Sequence, residues 1–110
     1  MADDYEDIFD ADAMADPMRS GAFMIVDERR RQIYGEGYTE QHDDQHTNGE
    51  LGRAASAYIY ANNFQLGIRL WPFERGIFRP TTTIKNLVKA GALIAAEIDR
   101  LKRAQRENLP

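Results

Sequence analysis

The chain has 110 residues, 43% hydrophobic and 29% charged, with a formal net charge of -4 and no cysteine. That size describes one small domain; no apolar run approaches the roughly 20 residues of a membrane span, and the start lacks the basic-then-apolar order of a leader, so a cytoplasmic protein is expected. Without cysteine there is no disulfide framework, thiolate zinc site or thiol nucleophile, which leaves carboxylates, imidazoles and cationic groups to do any chemistry.

In chain order, the first predicted element is an acidic, mostly disordered arm over 1–17, followed by a single helical domain over 18–110. The arm carries Asp3, Asp4, Glu6, Asp7, Asp10, Asp12 and Asp16, seven of the 18 acids, and no base; the rest of the chain then holds 14 bases against 11 acids. A short anionic arm is thus joined to a body of about +3, a contrast hidden by the overall sequence pI of about 5.1. Asp16-Pro17 closes the arm, because proline disfavours helix at the residue before it. Tyr5, Ile8, Phe9 and Met14 are spaced to form a transient amphipathic helix against a partner, such as a host protein, or against the body's own basic surface.

A helix is predicted from Ser20 to Tyr34, capped by Ser20 and ended by Gly35 and Gly37, with Phe23, Val26, Arg30 and Ile33 on the inward stripe. A strand through Ala22–Val26 is the competing reading. The stretch 38–49 is polar, and Thr47 with Glu50 has capping-box spacing, Asn48 being an alternative cap. The next helix runs to about Asn62 on a stripe of Leu51, Ala54, Ala55, Tyr58 and Ile59. Residues 64–80, with prolines, glycines and aromatics, read as an ordered loop whose Trp71, Phe73 and Phe78 cover the core or form an oligomer interface. Thr81–Thr83 open the last helix, in which Ile84, Leu87, Val88, Gly91, Ile94, Ile98 and Leu101 recur at three- and four-residue steps. Its small residues, Ala90, Ala92, Ala95 and Ala96, predict a second helix crossing there. The whole is an all-α, three- to four-helix bundle, and its small core predicts a homo-oligomer.

The densest functional groups are His42-Asp43-Asp44-Gln45-His46. The two histidines fall on one face of a helix, and the carboxylates between them suit a divalent cation or an imidazole tautomer. Glu50 and Glu97, on two helices, could complete a Mg2+ (or Mn2+) site with Asp43 and Asp44. An Arg30 on a buried stripe needs an anionic partner, either phosphate or a carboxylate such as Glu50 or Glu97. Candidate ligand-binding residues are Glu28, Arg30, Gln32, His42, His46 and Lys89.

The sequence DERRRQ, then Gly-Glu-Gly-Tyr, the His/Asp-rich turn, ELGRAASAY and NLVKAGALIAAEIDRLKR resembles a group of small phage and prophage proteins. Over about 24–104 it is distantly similar to the MazG-like all-alpha nucleoside triphosphate pyrophosphohydrolases. That resemblance implies a helical fold and a Mg2+ site built from an E-x-x-E pair and an E-x-x-D pair on two helices. Here Glu50 is followed at the third position by Arg53, Asn86 stands near where a glutamate is usual, and Glu97-Ile98-Asp99 has a different spacing.

Three functions follow as expectations. The first is a phage-type accessory protein, in host cytoplasm, that binds a nucleotide-like or phosphate-bearing ligand or a host protein. The second is an active pyrophosphohydrolase with Glu50 and Glu97 as catalytic carboxylates, and Arg30 or Lys89 balancing phosphate charge. The third is an assembly protein acting through 64–78. The small basic surplus argues against a nucleic-acid partner.

Overall fold

A computed structural model describes residues 19–109; the acidic arm predicted over 1–17 lies outside the described residues. Among the described residues, five α-helices and one 3-10 turn follow in order: α1 (Gly21–Gly35), α2 (Glu40–Asp44), α3 (Glu50–Ile59), α4 (Phe64–Leu70), the turn Arg75–Ile77 and α5 (Thr83–Glu107). The described chain is all-α, with no strand among the described residues, so the strand through Ala22–Val26 does not form. Among the described residues no helix is long and apolar enough to cross a membrane.

Side-chain caps fix several of the helix starts. Ser20 Oγ accepts from Phe23 N at 3.1 Å, and Thr39, Asn63 and Thr82 cap α2, α4 and α5 in the same way. Each such oxygen satisfies one of the amides left without a partner in a first helical turn. α3 departs from the capping box. Its cap is Gly49, in the left-handed region at φ +80°, and Thr47 makes no cap bond, although Glu50 still reaches back to accept from Asn48 N at 2.6 Å. Residues 64–80 also depart from the loop reading. Asn63 starts a two-turn helix there, and Gly67 lets it approach α3, since a Cβ on Gly67 would sit 3.0 Å from the Ala57 carbonyl oxygen.

The core lies where α3 meets the inner face of α5, with α4 packed against α3. It is made from Leu51, Ala54, Ala55, Ala57, Tyr58 and Ala61, from Trp71 and Phe78, and from Ala90, Leu93 and Ala96. The alanines on both helices let α3 and α5 approach closely, as their small residues predict. The apolar stripe of α3 therefore faces inward as expected, apart from exposed Ile59 at its end.

Two helices face the other way from their sequence reading. In α1 the buried residues are Met24, Asp27, Glu28 and Gln32, while Phe23, Val26 and Arg30 are exposed. In α5 the buried set includes Asn86, Leu93, Ala96 and Arg100 with Val88 of the predicted stripe, but Ile84, Leu87, Ile94, Ile98 and Leu101 of that stripe are exposed. The physical reason is that the inward polar groups arrive already partnered. Arg31 binds Glu28, Arg19 binds Asp27, Asn86 Oδ1 accepts from Thr81 N at 2.7 Å, and Arg100 binds Glu97. A paired polar side chain can be buried where an unpaired one could not. Gly91 is the notch through which α1 sits on α5, because a Cβ there would fall 2.6 Å from Ile25 Cδ1.

Candidate functional site: a cationic cleft and an adjoining histidine ladder

A cleft of about 590 Å³ opens among α1, α3, the segment after the 3-10 turn and α5. That volume is within the roughly 300–1,000 Å³ of small-molecule sites. Tyr58, Trp71 and Leu93 contribute its apolar surface, with Tyr38 and Ile77 beside them. Around these stand four cations, Arg31, Arg79, Lys85 and Lys89, and two carboxylates, Glu28 and Glu36.

α1 positions the acid and guanidinium on one wall. Three residues apart on one helical face, Glu28 accepts from both Arg31 Nε and Arg31 Nη2 at 2.8 Å, and Arg31 Nη1 reaches Glu36 at 2.7 Å. The bond to Glu28 raises the Arg31 pKa, so this guanidinium is a permanent charge held in a fixed plane. One turn on, Gln32 Nε2 donates to Glu28 Oε2 at 3.3 Å and to the Lys89 carbonyl at 3.5 Å. Gln32 Oε1 is buried with no hydrogen-bond partner, an uncompensated acceptor in the cleft wall.

Lys89, on the opposite wall, donates from Nζ to the Arg79 carbonyl at 2.7 Å and lies 5.3 Å above the Tyr58 ring centre. Burial pushes its pKa below the usual lysine value, with the Glu28 carboxylate opposing the shift. Tyr58 OH accepts from Arg79 N at 3.2 Å, tying the segment after the 3-10 turn to α3. Burial raises the pKa of both Tyr38 and Tyr58, so both phenols are neutral at ordinary pH. Lys85 also lines the cleft, and no acid pairs with it among the described residues.

Tyr38 leads from the cleft to a ladder of rings. Its ring stacks on His42 at 4.7 Å and 9°, His42 meets His46 edge-on at 4.8 Å, and His46 meets Phe73 at 4.9 Å. The two histidines thus share a side as their spacing predicts, but their neighbours on it are aromatic. Asp43 is 0% exposed; it accepts from Arg29 Nη2 at 2.8 Å and pairs with His42 Nδ1 at 2.8 Å.

The other candidate metal carboxylates are also engaged. Asp44 takes Arg103 at 2.7 Å, Glu97 takes Arg100 at 2.6 Å, and Glu50 accepts from Asn48 N with His46 Nδ1 at 3.4 Å. Partial burial disfavours the Glu50 carboxylate, but the amides of Glu50 and Asn48, with His46, outweigh it and hold its pKa below the ordinary value. Among the described residues no three His, Asp or Glu side chains gather in a group that could hold a metal ion.

Of the predicted ligand-binding residues, the structure brings Glu28, Gln32 and Lys89 together in the cleft. It leaves His42 and His46 in the ladder and Arg30 exposed, the buried-stripe role passing to Arg29 with Asp43 as its acid. Trp71 and Phe78 are 8% and 6% exposed and belong to the core, with Phe73 packed on it, so these rings are spent within the chain. The polar and aromatic cleft residues that sequence reasoning missed include Arg31, Glu36, Tyr38, Tyr58, Arg79 and Lys85. Only the three-residue step from Glu28 to Arg31 carried a signal for any of them.

Comparison with protein-family models, with curated proteins and with solved structures found no match to this chain.

Proposed function

We propose that this chain binds a small phosphate-bearing ligand, of nucleotide kind, in the cleft between α1 and α5. The observation that carries the reading is the excess of four cations over two carboxylates around an aromatic surface. Lys85, with no acid paired to it among the described residues, and Arg31, held flat by Glu28 and Glu36, are the groups that meet the phosphates. Tyr58 and Trp71 offer ring surface to a base or sugar, and Lys89 adds a donor beside them. The resemblance to MazG-like proteins agrees with a nucleoside triphosphate as that ligand.

Binding is favoured over hydrolysis by the state of the carboxylates. A Mg2+ site at Asp43, Asp44, Glu50 and Glu97 would require each to give up an arginine, histidine or amide partner. The acidic arm remains a route to a host protein, as its composition suggests.

Calorimetric titration of the full chain with deoxynucleoside triphosphates and with the matching nucleosides, with and without Mg2+, tests this reading. Triphosphates should bind and nucleosides should bind far more weakly. Lys85→Ala should weaken triphosphate binding by about tenfold or more, as expected for a charge-assisted bond of about 1.5–3 kcal/mol. Equal binding of nucleoside and triphosphate, or none of either, would overturn it. Release of pyrophosphate in the Mg2+ samples would instead favour the enzyme.

A further inference from the structure

We infer, on the premise that the cleft holds a nucleotide, that Gln32 reads the base by accepting a hydrogen bond from an exocyclic amino group. The cleft then takes nucleotides of cytosine, adenine or guanine in preference to those of uracil, thymine or hypoxanthine. Gln32 lines the cleft, is 3% exposed and is held at both ends. Its backbone carbonyl accepts from Tyr38 N at 2.9 Å and from Glu36 N at 3.2 Å. At the other end Nε2 stands 3.3 Å from Glu28 Oε2 and 3.5 Å from the Lys89 carbonyl oxygen. Both of these neighbours are acceptors, so the amide can turn only its NH2 toward them; the reversed amide would set Oε1 against a carboxylate and a carbonyl. That orientation leaves Oε1 buried and without a partner. A buried acceptor with no donor costs free energy, and a ligand that brings the donor recovers it.

The surroundings of Oε1 decide which donor suits it. The carboxylate of Glu28, 2% exposed, and the Lys89 carbonyl are beside the amide, so a phosphate or carbonyl oxygen brought here would face acceptors only. Because Oε1 is recessed in the wall, the donor has to project from the ligand. The amino groups of cytosine, adenine and guanine project from their rings. The N–H of uracil or thymine lies within the ring between two carbonyl oxygens, and that of hypoxanthine has one such oxygen beside it. Presenting either edge would push those oxygens toward Glu28 and the Lys89 carbonyl. A site that commits a buried polar atom in this way rejects an analogue lacking the matching group more strongly than a pocket that reads shape alone.

The test is calorimetric titration of the full chain with two pairs of triphosphates, deoxycytidine against deoxyuridine and deoxyadenosine against deoxyinosine. The members of each pair differ in carrying an amino or an oxo group, with the ring proton that goes with it. The amino member should bind about tenfold or more tighter in each pair. Gln32→Met, similar in length but without the amide oxygen, should bring the members of each pair to within about twofold while triphosphates still bind better than nucleosides. Equal affinities within either pair on the unaltered chain, or tighter binding of an oxo member, would overturn this role for Gln32 and leave the cleft as a nucleotide site. A preference that survives Gln32→Met with the helical circular dichroism unchanged would overturn it as well. Absence of binding by all four triphosphates would overturn the nucleotide site itself, and the role of Gln32 with it.

Discussion

α3 and α5 carry comparable apolar periodicity, yet they use it in opposite directions. α3 turns Leu51, Ala54, Ala55 and Tyr58 into the core, whereas α5 buries Asn86, Val88, Ala90, Leu93, Ala96 and Arg100 and leaves Ile84, Leu87, Ile94, Ile98 and Leu101 outside. Periodicity says that a helix has two unlike sides, but the side that meets the chain's own core is decided by what can approach it. On α5 the inward side holds alanines that admit another alanine-rich helix, and its polar members come with partners. α1 repeats the pattern, with Glu28 and Gln32 inside and Phe23 and Val26 outside.

Substitutions can break this comparison or sharpen it, and the largest expected effect lies on the polar inner side of α1. Arg29→Met strands the fully buried Asp43 without its guanidinium, leaving His42 as its remaining side-chain partner; urea unfolding should show a loss of about 3–5 kcal/mol. Next comes Leu51→Ala in α3, at 0% exposure, with an expected cost of about 2–5 kcal/mol at any protein concentration. Ile98→Ala on the outer side of α5 should cost no more than about 0.5 kcal/mol. Equal losses for Leu51→Ala and Ile98→Ala would mean that α5 is turned the other way. Gly91→Val places new carbon atoms against Ile25 and should cost about 1–3 kcal/mol by overpacking, with Ile25→Ala restoring part of it in the double variant.

The smallest expected effect is one of pH. The folded Glu50 pKa lies below its ordinary value of 4.5, so its ionised form adds stability that is complete above that value. That contribution is lost as the pH falls through the folded pKa. Urea midpoints measured from pH 6 to pH 3 should therefore decline less steeply for Glu50→Gln than for the parent chain. Identical slopes would show that the cap at the start of α3 contributes nothing to acid sensitivity.

Helix existence was legible because caps and periodicity are local. Ser20 starts α1, and the threonines after Pro80 start α5, where the sequence places them. α4 was hidden because its start depends on Asn63 as cap and its packing depends on Gly67 lying against α3, a contact with no local signature. The candidate site was half legible. Glu28, Gln32 and Lys89 could be picked as polar residues on helices, but Arg79 and Lys85 join them only because the chain folds back after the 3-10 turn. The dense His/Asp motif drew attention as a metal site, whereas its groups spend themselves on Arg29, Arg103, Glu50 and neighbouring rings. Sequence density marks polar groups; whether they remain free for a ligand is a property of the partners that folding brings to them.

The cleft as a nucleotide site is tested most directly by following backbone amide and Trp71 indole resonances of the 15N-labelled full chain during titration with a deoxynucleoside triphosphate. Saturable shifts should concentrate at Arg31, Gln32, Tyr38, Lys85 and Lys89 and at the Trp71 indole, with Leu109 and the outer residues of α5 unmoved. A spectrum that does not change, or shifts confined to His46–Glu50, would contradict the assignment.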